Sequence, residues 1–268
     1  MEIIKYKDPY LLDRAVCKEK AIDVPALTKK NSLFIEAIVR LDSNYNLDSD
    51  ETKSNDDGFD PILNVSSANG KFCGSSKYWL TIIKNSKTFE EYKRGVYGAV
   101  VSIDTFNSTH LEATLDGRKK MAEIIISNYP SFKELKEALS RTFNKNDSEH
   151  IIYKLSIPLE ARRKGTVRCN LSFASKFCSY ASLCLLDEDR YSKYDSVVSD
   201  MLPFYMELYL GKKLRKNHYK VKASIHKEWL RVYEIYSNDI GEILNLDEIK
   251  NDEITREKFD HIIWYSNK

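Results

Sequence analysis

Asn170 to Gly211 reads NLSFASKFCSYASLCLLDEDRYSKYDSVVSDMLPFYMELYLG: a helix, a short polar connection and a second helix. Over Leu171 to Leu186, Phe173, Phe177, Tyr180, Ala181 and Cys184 recur at helical spacing, with Ala174, Cys178 and Leu185 beside them. The opposite arc carries Ser172, Ser175, Lys176, Ser179 and Ser182, and Leu183 is the misfit. Long charged side chains usually cover a solvent face. A serine stripe around one lysine therefore predicts a face that something approaches closely. After the connection, Asp195 stands at the N-cap position ahead of Ser196, Val197 and Val198. Gly211 follows Leu210 as a C-cap.

The flanking sequence is mostly helical in pattern. Leu11 to Lys20 predicts a short helix, after a short strand at Ile3, Ile4 and Tyr6. Asn31 to Leu41 predicts a helix capped by Asn31 or Ser32, with Leu33, Phe34, Ala37, Ile38 and Leu41 on one face. Residues 47–68, rich in Asp, Asn and Ser with Gly58 and Pro61, predict a loop. Helices are expected within Phe72 to Asn85, Thr114 to Asn128, Pro130 to Thr142 and Ser148 to Ile157, the last stopped by Pro158. Thr88 and Glu91 form a capping-box pattern. Val96 to Phe106 is apolar and β-branched, and its period does not separate strand from buried helix. Val221 to Tyr236 is amphipathic, Leu244 to Ile249 short, and Thr255 to Tyr265 closes the chain.

The fold expected is all-α and two-lobed, with a cleft between lobes. A helical lobe at 1–145 carries an acidic loop at 42–68, and a second at 146–268 carries the Lys176/Asp195 segment. Six prolines and nine glycines in 268 residues leave little room for a many-turned β architecture. Five cysteines, widely spaced and without a CxxC pair, argue against a disulfide framework or a zinc knuckle. Cofactors and metal are expected to be absent. The N-terminus MEIIKYKDPY has no apolar core, and no apolar run approaches membrane length, which predicts a cytoplasmic protein.

Net charge is only +2, but it is unevenly spread: seven acids and one lysine over Asp42 to Asp60, then seven basic residues and no acid over Lys212 to Lys227. Such asymmetry can steer a polyanion to one face, although each run also reads as a solvated surface. Candidate phosphate contacts are Arg162, Arg163, Lys164 and Arg168 in the connector before the central segment, and Lys212, Lys213, Arg215, Lys216 and Lys220 after it.

Asp195 lies 19 residues after Lys176. A small-polar helix with a lysine near its start, a connection and a carboxylate capping the next helix resembles the catalytic segment of the helix-hairpin-helix DNA glycosylases. The likeness is to the 8-oxoguanine DNA glycosylase branch and bacterial proteins of that fold. The family's Leu-Pro-Gly-Val-Gly turn has no counterpart here, where Asn170 to Ser175 holds no glycine. The tail Arg256 to Trp264 is also similar to the closing helix of those relatives. The resemblance implies that Lys176 is a nucleophile forming a Schiff base with the sugar of a flipped nucleotide. Asp195 would assist, the partner would be damaged or modified DNA, and strand cleavage by β-elimination could follow. A nucleophilic lysine must spend part of its time neutral, a state that burial or a nearby cation favours. Two plainer roles stand beside this: Lys176 as a lysine on a polar helix face, and Asp195 as a structural N-cap. The functional alternatives are a non-catalytic nucleic-acid- or protein-binding protein of the same fold, and an unrelated helical protein. Among aromatics that could stack on a flipped base, Phe204, Tyr205, Tyr209 and Trp264 lie nearest. His110, Glu112 and Asp116 read as a loop cluster rather than a metal site.

Overall fold

The computed structural model describes residues 1–39, 74–107, 109–162, 165–221 and 225–267. The expected acidic loop, Cys73, Arg163 and Lys164 lie outside the described residues. The chain is mostly helical, as its patterning predicts. Packing divides it into two compact units, Met1–Ile38 with Tyr191–Ala223 and Glu228–Lys268, and Val39–Arg190 with Ser224–Lys227. The boundary expected near residue 145 is thus replaced by one at 190/191, and the first unit takes both ends of the chain.

The reason lies in the N-terminal segment. β1 (Glu2–Ile4), β2 (Arg14–Cys17) and β3 (Ile22–Pro25) form an antiparallel sheet in the order β1-β2-β3, with Ala15 opposite Val24. The helix expected over Leu11 to Lys20 is therefore a strand followed by a 3-10 turn at Lys18–Lys20. Ile22 and Val24 are buried and Asp23 between them is exposed, the period of two that a half-buried strand requires. α1 spans 29–39. Its cap is Thr28 rather than Asn31 or Ser32, since Thr28 Oγ1 accepts from Asn31 N at 3.3 Å. The Asn31 side chain instead donates to the carbonyls of Asp13 and Ala26 and accepts from Asp13 N.

In the second unit, α2 (Gly74–Asn85) packs on α3 (Phe89–Asn107). The undecided stretch Val96 to Phe106 is therefore helix. Thr88 Oγ1 accepts from Glu91 N at 3.2 Å, and a Glu91 carboxylate oxygen accepts from Thr88 N, so the capping box forms as read. A 3-10 turn at Leu111–Ala113 precedes α4 (Gly117–Asn128), which is followed by α5 (Phe132–Ser140) and α6 (Ile151–Leu155). The two-residue strands β4 (Leu159–Glu160) and β5 (Val167–Arg168) pair antiparallel ahead of α7 (Leu171–Ala181). A π-helical turn at Ser182–Leu186 ends the second unit's helical run. α8 (Ser196–Leu210), α9 (His226–Leu244), α10 (Asp247–Asn251) and α11 (Arg256–Ser266) complete the chain, all in the first unit except His226 and Lys227, which belong to the second. Tyr205 and Tyr209 tie α8 to the end of β3: Tyr205 Oη donates to Pro25 O at 2.8 Å and Tyr209 Oη accepts from Leu27 N at 2.9 Å.

Close approach of α2 and α3 needs Gly98, because a methyl there would overlap the Trp79 indole, which is itself 2% exposed. Gly98→Ala gains helix propensity but overpacks this contact. The net expectation is a loss of about 2 kcal/mol in urea unfolding. An unchanged midpoint would show that the Trp79 ring moves without cost.

Candidate functional site

Lys176 sits on α7, which is buried nearly all round. Phe173 and Phe177 are fully buried and stack at 5.9 Å between ring centres. Most of the serine arc is buried too: Ser175, Ser179 and Ser182 are at most 1% exposed. The hydroxyls of Ser175 and Ser182 donate to carbonyls one turn back, Ser172 O and Ser179 O. Small residues on this arc let neighbouring helices come close, which is the physical content of the stripe.

Lys176 itself is 5% exposed, and its Nζ donates to Asn107 O at 3.1 Å. Tyr180, one turn on, donates to Asn107 Oδ1 at 2.8 Å. Asn107 ends α3, so two side chains of α7 converge on one residue at that helix terminus, where backbone carbonyls lack helical partners. The turn beyond is held by Asp104, 2% exposed, which accepts from Thr109 Oγ1 at 2.6 Å, Leu111 N at 2.7 Å and Arg118 Nε at 2.7 Å. A buried amine held in this way is costly to desolvate and is retained only where it serves structure or chemistry.

Asp195 is the N-cap of α8, as read from the sequence: its Oδ1 accepts from Val197 N at 2.8 Å. Gly211, at φ +67°, ends the same helix, with Lys212 N donating to Met206 O at 3.1 Å. Lys176 belongs to the second unit and Asp195 to the first. The chain entering α7 differs from a tight glycine turn. After Pro158 it forms the β4–β5 hairpin, in which Gly165 takes φ +74°. Asn170, the residue before α7, spends its side-chain amide on Ile157 O at 2.6 Å rather than on the helix.

The basic candidates fall in both units. Arg162 and Arg168 are exposed at the hairpin of the second. In the first, Lys212 pairs with Glu242, which holds its pKa above the ordinary lysine range, and Lys220 pairs with Asp200 at 2.9 Å. Lys213, Arg215 and Lys216 are exposed. Arg215 and Lys220 also line a pocket of about 380 Å³, together with Asn217, His218, Glu228 and Arg231. Tyr205 and Tyr209 are committed to the core contacts above.

Sequence reading missed two features. One is Arg231, whose signal was its place on the polar face of the amphipathic stretch after the basic run. The other is a buried group at Lys193. Residues 191–193, read as part of a polar connection, are at most 4% exposed. Lys193 Nζ lies 3.6 Å from Asp260 Oδ2 and 3.5 Å from His261 Nε2. Burial, and then the Lys193 charge, hold the His261 pKa well below the ordinary histidine range. The tyrosines in this connection, spaced three apart at 191 and 194, were the available signal. Among the described residues no cluster of His, Cys, Asp or Glu could hold a metal ion, and no helix is long and apolar enough to cross a membrane. No family model, curated protein or solved structure matches this chain.

Proposed function

We propose that the chain is a DNA glycosylase that excises a damaged or modified base through a lysine Schiff base, with Lys176 as nucleophile and Asp195 assisting. The observation that carries this reading is the near-complete burial of Lys176, with its Nζ on the Asn107 carbonyl. A buried lysine is the kind of side chain that covalent catalysis by an amine uses, and that supports the reading. In the reaction Nζ forms a bond to C1′ as the glycosidic bond breaks, and the base leaves with the bonding electron pair. The nitrogen then gives up a proton, O4′ takes one as the C1′–O4′ bond opens, and the nitrogen lone pair forms the C=N bond of the iminium. The Asp195 carboxylate, with Oδ1 engaged at the helix, offsets positive charge developing on the sugar. Arg162, Arg163, Lys164, Arg168 and the 212–220 run supply phosphate contacts.

A second reading is favoured by a specific observation. Lys176 holds a backbone carbonyl and Asp195 a backbone N–H, and both are complete structural roles. In that reading the chain binds nucleic acid or a protein partner without chemistry. Borohydride separates the two. Incubation with duplexes carrying a panel of modified bases is expected to give a reduced, covalent protein–DNA adduct. Binding of those duplexes with no adduct on any of them would select the second reading.

A further inference from the structure

We propose that the concave basic surface formed by residues 215–221 with Glu228, Arg231 and Val232 of α9, all in the first unit, is a pocket for a phosphate monoester carried by a nucleotide. This goes beyond the excision reading and does not depend on Lys176.

The pocket is built from the inside out. Tyr219 is fully buried, with its Oη donating to Asp239 Oδ2 at 2.7 Å and its carbonyl accepting from Tyr194 Oη at 2.5 Å. Two turns close over it, His218 N to Arg215 O at 2.9 Å and Lys220 N to Asn217 O at 3.1 Å. With Tyr219 pinned inward, Arg215, Asn217, His218 and Lys220 are left exposed around it. α9 adds Glu228, Arg231 and Val232, and Val221 extends the apolar part of the lining.

Three features select the ligand. First, Arg215, Lys220 and Arg231 face one carboxylate, Glu228, so the lining is net cationic. Second, its internal pairing is weak in kind. Arg231 meets Glu228 at 3.1 Å and Lys220 meets Asp200 at 2.9 Å, but all four side chains are at least 39% exposed. Water-exposed pairs of this sort give way to a better anion. Third, the site is concave, and its volume of about 380 Å³ suits a small ligand. A monoester carries nearly two negative charges and three acceptor oxygens, which two guanidinium forks can engage. A backbone diester has one charge and a sugar on either side, so it lies along a surface instead of entering a pocket. Val221 and Val232 offer apolar contact to the attached nucleoside.

The test uses the full chain and a short oligothymidine labelled at its 3′ end, compared as the 5′-phosphate and the 5′-hydroxyl by fluorescence anisotropy at fixed salt. The phosphorylated strand is expected to bind about tenfold tighter. Arg215→Ala combined with Arg231→Ala should bring the two strands within about twofold of each other. Lys133→Ala with Lys136→Ala, which removes equal charge from exposed positions on α5, should keep the preference. Competition with thymidine 5′-monophosphate and with the unlabelled phosphorylated strand tells a free nucleotide from a strand end, and displacement by either supports the pocket. Equal affinity of the two strands for the unaltered chain, or a preference that survives the double arginine variant, would overturn it. Lys176→Gln should retain the preference, so failure of the excision chemistry and failure of the pocket are read separately.

Discussion

Lys176→Gln is expected to abolish the borohydride-trapped adduct, a loss on the order of a thousandfold or more in rate. Glutamine keeps an N–H donor for the Asn107 carbonyl, and it replaces a buried amine with a neutral amide. The fold should therefore survive, and its thermal midpoint should not fall. DNA affinity should change by no more than about threefold, because only one charge is removed. Asp195→Asn is the companion variant. Asparagine caps helices as well as aspartate does, so stability should hold, while adduct formation slows by about a hundredfold through loss of the carboxylate charge. An adduct that persists in Lys176→Gln would assign the chemistry to another amine, and Lys193, only 4% exposed, would be the first to replace.

What the sequence made legible was local. The apolar stripe of α7, the capping box at Thr88 and Glu91, the Asp195 cap and the Gly211 terminus each depend on residues within a turn or two, and each is present in the structure. What stayed hidden depends on partners far along the chain. β2 is a strand because Ile22–Pro25 pairs with it, and the run Leu11 to Lys20 alone carries no sign of that. The serine arc of α7 reads as a face that something approaches closely, and only the fold shows it covered by the protein itself. The site shows the same division. Lys176 could be singled out by spacing, but Asn107, whose carbonyl holds it, lies 69 residues away. The phosphate pocket was half visible, as a basic run. Its other half comes from α9, brought to the run only by folding.

Asp104→Ala is expected to destabilise the chain by about 3 kcal/mol at neutral pH. The carboxylate is almost fully buried and accepts from Thr109, Leu111 and Arg118, so its removal strands a buried hydroxyl and a backbone N–H. Burial alone would raise the Asp104 pKa. Its hydrogen bonding with Glu112, Thr109, Arg118 and the Leu111 amide outweighs that and holds it below the ordinary aspartate range. A carboxyl depressed in the folded state contributes its full stability above the unfolded value, about 3.9, and loses it as pH falls through the folded value. The gap between the unaltered chain and Asp104→Ala in urea unfolding should therefore be widest at pH 7 and should narrow below about pH 4. A gap that stayed constant across that range would mean that the carboxylate charge contributes nothing. Asp104 also supports Lys176 at one remove, because it holds the turn that follows Asn107. With that turn loosened, the carbonyl that receives Lys176 Nζ is no longer fixed, and trapping of the adduct should slow even at temperatures where Asp104→Ala remains folded. A variant that is destabilised as expected yet traps adduct at the full rate would separate the turn from the chemistry and leave Asp104 a purely structural residue.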